Sequence, residues 1–358
     1  MLVTAAILIA LVLGLHAWNT SEYALTPGNA TPVAPLVKIH GVATNPHHDK
    51  IMLADVYLQS LTAWQWLTMH FQSHVQFVPA SELVNPGIPS DELGAQGFLE
   101  MRDAKQAAEV TAFRSLGWTV RATRTGAIVN GVVSPSPARS ANVHVGDEIV
   151  AVNGTPVRST CQLIGYVHDL APGTKVRLSI ERVKISNSGT LSWRAPMTLN
   201  MRTASVASGV GASGCVGLTG RARSWLGVSG EDGYSYLLPA SVSIDTADIG
   251  GPSAGLAMTL SLINELSGGS LTGHHVIAAT GTIDVKGNVG DVGGVAQKTV
   301  AVQRAGATFF FVPQVEVAAA RAAASPGLTI LGVTTLRQAL RDLRSLGGVA
   351  PQPLTAPS

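Results

Sequence analysis

Gly250-Gly251-Pro252-Ser253-Ala254-Gly255, and further on Gly293-Gly294-Val295-Ala296-Gln297-Lys298, decide how this chain is read. Glycines and a proline ahead of a helix make a tight turn that brings backbone N–H groups into the open. Ser253 falls where Pro252 ends that turn. Behind it, Leu256 to Leu266 is apolar nearly all round and is followed by Gly268-Gly269, which predicts a buried helix with a glycine stop. A hydroxyl there sits at the positive end of the helix dipole, beside N–H groups able to stabilise an oxyanion. Taken alone, Ser253 could equally be an N-cap.

A second helix is predicted over Val295 to Ala305. Residues three and four apart share a helix face. Lys298 therefore falls on an apolar stripe with Val295, Ala301 and Val302, while Gln297 and Arg304 mark the polar side. Burial disfavours the ammonium and lowers its pKa, which makes such a lysine a usable general base. The bland alternative is a lysine whose head snorkels to water. The serine motif 45 residues upstream favours the base.

Several further stretches occur in a telling order. They are Thr280-Gly281-Thr282-Ile283-Asp284-Val285-Lys286-Gly287-Asn288-Val289, Arg304-Ala305-Gly306-Ala307 after the lysine, and Phe310-Phe311-Val312-Pro313. From about Ser243 to Val317 the chain resembles the proteolytic domain of Lon-type Ser–Lys proteases. The resemblance implies that Ser253 is the nucleophile and Lys298 the base. It implies that Thr280 orients the lysine, and that Gly251, Pro252 and Ala254 form the turn around the oxyanion site. ATP-dependent members of that family usually carry an acid immediately before Gly-Pro-Ser; here that position is Gly250, and the nearest acid is Asp248. Ser224 to Leu238, with Gly227, Gly230 and Gly233, reads as a loop insertion, either a lid or a plain surface loop.

No Gly-x-x-x-x-Gly-Lys-Ser/Thr stretch is found. Upstream, Gly126 to Val133 reads as a strand, Ser136-Pro137-Ala138 follows, and Gly146-Asp147-Glu148-Ile149-Val150-Ala151-Val152-Asn153-Gly154 is a strand ending in an Asn-Gly turn. Thr174 to Arg182 alternates as a further strand. Roughly Val120 to Met201 resembles bacterial PDZ domains, which capture a peptide as an added strand. The Gly-Leu-Gly-Phe-like carboxylate loop of that family has only a poor counterpart in Gly117-Trp118-Thr119-Val120.

Met1 to Trp18 is almost wholly apolar, near the lower limit of about 17 residues for a membrane span, and lacks a basic start. It is expected to be a retained transmembrane signal anchor. Tyr23 to Gly28 and Asp103 to Gly117 complete a resemblance to membrane-anchored, PDZ-containing Lon-like proteases of Gram-positive bacteria. The expected organisation is α+β: residues 1–20 a transmembrane helix, 21–118 an extracytoplasmic region whose last helix leads into the next domain, 119–203 a PDZ-like β-rich domain, 204–346 a Lon-type α/β proteolytic domain, and 347–358 a disordered tail. Ile51 to Leu58 reads as a strand and Ser60 to Phe71 as a helix. Pro86-Gly87-Ile88-Pro89 and His47-His48-Asp49 read as loops.

The 24 basic and 22 acidic residues, net +2, are scattered, which argues against nucleic acid. Charged residues are only 13% and mean hydropathy is +0.28. Cys161 and Cys215 permit one disulfide in an oxidising compartment without requiring it. His70 and His74 lack the glutamate of a His-Glu-x-x-His zinc site, and His274-His275 would serve a triad less well than Lys298 serves a dyad. No metal or cofactor is expected. The function expected is ATP-independent serine endopeptidase activity on extracytoplasmic or membrane proteins, from a single-pass protein of the cell membrane. Protein or peptide substrates, some held through the PDZ-like module, are the expected partners, and Lon-type domains commonly form rings. The alternatives are a non-catalytic PDZ-based assembly protein of the envelope and a chain that only processes itself.

Overall fold

The structure, a computed structural model, describes residues 2–44, 50–83, 93–168, 170–185, 191–193, 196–206, 215, 224–268 and 270–354. The two loops expected at His47-His48-Asp49 and Pro86-Gly87-Ile88-Pro89 lie outside them, as do the last four residues of the tail. In chain order the elements begin with α1 (Leu2–Ala17), β1 (Asn19–Pro32), β2 (Val37–His40), β3 (Ile51–Thr62), α2 (Ala63–Met69), β4 (Gln76–Pro79), α3 (Ala80–Leu83) and α4 (Leu93–Ser115). They continue with β5 (Arg121–Val132), α5 (Pro137–Ser140), β6 (Asp147–Val152), β7 (Thr155–Pro156), α6 (Thr160–His168), β8 (Lys175–Ile185), β9 (Leu191–Trp193), β10 (Met197–Arg202) and β11 (Ala204–Ser205). After β12 (Ser224–Trp225), β13 (Val228–Leu237) and β14 (Ser241–Ile244) come α7 (Gly255–Leu266), β15 (Ile277–Ala279), β16 (Thr282–Ile283) and β17 (Val289–Gly290). Last are α8 (Val295–Arg304), β18 (Phe309–Pro313), α9 (Val317–Ala323), β19 (Thr329–Val333) and α10 (Leu336–Ser345).

A six-stranded sheet in the order β19-β18-β15-β3-β1-β4 carries the core. β3, β15, β18 and β19 run parallel, while β1 and β4 complete the sheet antiparallel. Residues alternate between the two faces of a strand. Leu53, Ile277, Ala279 and Phe311 pack on one side with α4, α7 and α10, and Met52, Ala278, Phe310 and Val312 on the other with α8 and α9. Strands covered on both faces read as continuous apolar runs, as Phe309 to Val312 does. The sequence reading set the N-terminal region apart from the proteolytic region; β1, β3 and β4 instead build half of the same sheet.

A second sheet, with β10-β8-β6-β5-β13 as its main path, has its own core of Val129, Ile149, Leu178 and Ile180 against Leu163 and Val167 of α6. Val228 to Leu237, expected within a loop insertion, is the edge strand β13 of this sheet. Cys161 and Cys215 are joined, tying α6 to the segment before β12, with Cα atoms 5.4 Å apart. The bridge closes a sequence separation of 54 residues. The Cys161→Ser chain is expected to lose about 2–4 kcal/mol of stability, read as a lower urea midpoint than the oxidised wild type.

The transmembrane helix is corrected. α1 has 16 residues, so it is about 24 Å long at about 1.5 Å per residue, against about 30 Å of hydrocarbon. Among the described residues no helix is long and apolar enough to cross a membrane. Its C-terminal end is fastened to α2 instead, where the His16 ring stacks on Trp64 at 5.3 Å and Ala63 N–H donates to the Trp18 carbonyl. The helix expected over Ser60 to Phe71 starts at Ala63, where Thr62 and Gln65 form a reciprocal capping box. Part of the tail is held as well: Leu354 N–H donates to the Leu266 carbonyl at 3.0 Å and Gly268 N–H to that of Gln352 at 3.1 Å.

Candidate active site

Ser253 is delivered by a turn whose shape needs glycine. Gly251 has φ +84°, a conformation that a side chain strains. Its N–H donates 2.7 Å to the Gly97 carbonyl of α4, anchoring the turn to that helix. Pro252, Ser253 and Ala254 then form one tight 3-10 turn running directly into α7. The Ser253 carbonyl accepts from Gly281 N–H at 2.9 Å and from Thr280 Oγ1 at 3.2 Å. The serine backbone is therefore held from both sides.

Thr280 follows β15 at the carboxyl end of the parallel strands, where open α/β sheets commonly place ligand sites. Its N–H donates to the Phe311 carbonyl at 2.9 Å, which fixes it to β18. Lys298 arrives from the opposite face of the sheet on α8. Val295, Ala301 and Val302 are buried beside it, as the apolar stripe predicts, and Lys298 itself is 2% exposed. Its Nζ lies 2.8 Å from Ser253 Oγ and 3.3 Å from Thr280 Oγ1. Thr280 thus donates to the serine backbone and accepts from the lysine. Gln297, expected on the polar face, is buried because the N-terminal segment covers α8; its Nε2 donates to the His74 carbonyl at 3.3 Å.

Burial pushes the Lys298 amine down from 10.5 to about 8, with the carboxylates of Asp55 and Glu316 pulling it back up. A cleft of about 420 Å³ opens on the pair, lined by Asn29, Asp55, Met101, Asp248 and Ser253 among others. Asp55, on β3, is the residue the sequence reading missed. Burial raises its carboxyl pKa, opposed by the Asn29 N–H bond and by Lys298, while Asp248 raises it further. The Asn29 N–H donates to Oδ1 at 2.8 Å from a bulge in β1, and Gly28 in that bulge leaves room for the carboxylate, which an added Cβ would strike. The available signal was an acid inside the apolar run Ile51 to Val56. Asp55→Asn removes a charge that favours the ammonium, so the Lys298 titration midpoint, followed by NMR of the side chain, is expected to fall below the wild-type value. A midpoint that stays or rises contradicts the pairing.

His275 is held elsewhere: its Nε2 lies 3.1 Å from the Leu346 carbonyl and its ring packs edge-on to Phe309. The His70 ring stacks on Phe77 at 4.2 Å. Among the described residues no group of three or more His, Cys, Asp or Glu side chains could hold a metal ion. The arrangement offers a hydroxyl, a buried amine poised near neutrality, and an open cleft, which are the parts of nucleophilic catalysis.

Comparison with known proteins agrees in two separate segments. Residues 115–192 match the family model of the PDZ domain, and residues 246–340 match that of the Lon protease (S16) C-terminal proteolytic domain. A Lon protease of Mycolicibacterium smegmatis is 41% identical over 64 residues, 18% of this chain and 8% of that protein. A Lon protease of Mycoplasma genitalium is 39% identical over 64 residues, with the same shares. The matched stretch thus spans less than a tenth of these relatives' length. Among solved structures, the PDZ domain of the SdrC-like protein from Listeria monocytogenes is 18% identical, covering 30% of this chain and 90% of that one at a TM-score of 0.22. The chain thus carries one segment that matches the PDZ domain and one that matches the Lon-type proteolytic domain, and the latter supports a peptidase.

Proposed function

We propose that this protein is a serine endopeptidase that works without ATP, with Ser253 as nucleophile and Lys298 as general base, on proteins outside the cytoplasm. The observation that carries the reading is the 2.8 Å contact between the buried Lys298 amine and Ser253 Oγ. With the amine neutral, the serine proton passes to Nζ and Oγ attacks the scissile carbonyl. The tetrahedral intermediate collapses to an acyl-enzyme as the protonated lysine gives its proton to the leaving amine. Water then attacks the ester, with Lys298 again as base.

The developing oxyanion needs N–H donors beside the serine. Gly251 N–H is spent on Gly97, and Pro252 has none. Ser253 and Ala254 N–H, at the start of the helical turn, are the donors this reading assigns. The Cys161–Cys215 bridge supports an oxidising compartment.

The test is cleavage of an unfolded, disulfide-free protein such as reduced casein without nucleotide. Wild type is expected to cut and Ser253→Ala to be inert, with matching circular dichroism and melting temperature. Cleavage by Ser253→Ala, or a strict need for ATP, sinks the reading. An inert wild type whose serine takes no fluorophosphonate label moves the chain to a binding and assembly role.

A further inference from the structure

The cleft that opens on Ser253 holds a set of side chains that the dyad does not use. Asp55 and Tyr57 are two apart on β3, so they share the strand face that carries Leu53. Asn29, in the bulge of β1, ties them together. Its N–H donates to Asp55 Oδ1 at 2.8 Å and its Nδ2 to the Tyr57 hydroxyl at 2.7 Å. Held by that bond, the Tyr57 ring lines the cleft and is 54% exposed. Asp248, from the segment leading into the nucleophile turn, lines the same cleft. It is exposed and has no hydrogen-bond or ion-pair partner among the described residues.

An exposed aromatic ring beside two carboxylates is a setting for a cation. The face of the ring attracts positive charge, and the carboxylates accept charge-assisted hydrogen bonds from it. Met101 of α4, also in the lining, offers apolar surface to the aliphatic stem of a long basic side chain. The charge balance of the cleft calls for the same occupant. Lys298 is the only Lys or Arg among its described lining residues. Burial, and after it the repulsion from Asp248, disfavours an ionised Asp55, which the Lys298 charge favours. The dyad works with Lys298 neutral, so the working form leaves both carboxylates without a cation in the cleft. Any peptide that Ser253 attacks must enter here, which brings its side chains beside the ring and the carboxylates.

We infer that Asp55, Tyr57 and Asp248 form a subsite for a cationic side chain, so that the substrates of this cleft are peptides with an arginine or lysine close to the scissile bond. The cut itself rests on the endopeptidase reading; the binding of the cation does not.

The experiment uses the full chain. Cuts in reduced casein are mapped by mass spectrometry, and arginine or lysine is expected within two residues of most of them, above their frequency in casein. A casein-derived peptide holding a single arginine beside a mapped cut is then made in two quenched fluorogenic forms, one with arginine and one with its neutral isostere citrulline. Wild type is expected to favour the arginine form about tenfold in kcat/KM, the combined worth of a cation–π contact and a partly exposed ion pair. The difference is expected in KM, because a contact away from the reacting atoms binds substrate and transition state alike. Tyr57→Leu and Asp248→Asn are each expected to lower the ratio at least about threefold. Asp248→Lys is expected to turn the preference towards a form with glutamate at that position. Both side chains are exposed, so melting temperatures of these variants are expected to match wild type. Equal cutting of the arginine and citrulline forms, a ratio unchanged in all three variants, or a difference confined to kcat overturns the inference. If wild type cuts nothing, fluorescein-labelled arginine and citrulline forms of any one-arginine casein peptide are titrated with the Ser253→Ala chain and followed by anisotropy. Binding about tenfold tighter for arginine upholds the subsite and places the failure on the endopeptidase reading; equal binding overturns the subsite as well.

Discussion

Lys298→Met is expected to lower kcat/KM for an unstructured peptide substrate by about 10²–10⁴-fold, the usual worth of a positioned general base, while making the protein more stable at neutral pH. Both effects come from one cause. Burial costs the ammonium its hydration, which is why its pKa falls from 10.5 to about 8. The unfolded chain holds that proton up to about 10.5 while the folded chain releases it near 8, so the unfolded state binds more protons between those values. Wild-type stability therefore rises with pH through that window, and the penalty is fully present below about 8. Methionine fills similar space without a charge. Its melting temperature is expected to exceed that of wild type at pH 7, with the gap narrowing as the pH rises towards 10.5. A variant that is inactive and also less stable at pH 7 points to a structural lysine instead.

Phe311→Ala is expected to destabilise the fold by about 3–5 kcal/mol, a large share of the roughly 5–15 kcal/mol that holds a domain together. Its ring is fully buried in the core shared by α4 and α7, and its carbonyl accepts the N–H of Thr280. The damage therefore reaches the site through the backbone on which Thr280 hangs. Denaturant unfolding checks the first effect. For the second, the remaining folded fraction is expected to lose activity beyond its loss in population, because Thr280 holds both the Ser253 carbonyl and the lysine amine. Specific activity that simply tracks the folded fraction would show that the strand tolerates the gap.

The parts of the site carried by local signals were readable from sequence. A glycine-proline turn before an apolar helix, and a lysine on an apolar stripe, each encode geometry within a dozen residues. The pairing of Ile51 with Ile277 across the sheet encodes nothing local. Strand partners are chosen by tertiary packing, so β1 and β3 looked like a separate region and Asp55 went unnoticed. Gly227, Gly230 and Gly233 read as loop because glycine weakens strands, yet Gly230 is where β13 needs a bare backbone: an added Cβ would sit 2.6 Å from the Ile128 carbonyl oxygen. The apolar start was misjudged for a different reason. Met1 to Trp18 sits at the lower limit of about 17 residues for a span, and the helix that forms within it, α1, has 16 residues.

The central claim is that a neutral, buried Lys298 activates Ser253. Its most direct test is the rate of fluorophosphonate labelling of Ser253 against pH in wild type and Lys298→Ala. The account predicts a rate that climbs with pH about a midpoint near 8 in wild type, and a slow rate without that limb in the variant. A flat wild-type profile, or a limb near 8 that survives in Lys298→Ala, would show that another group activates the serine.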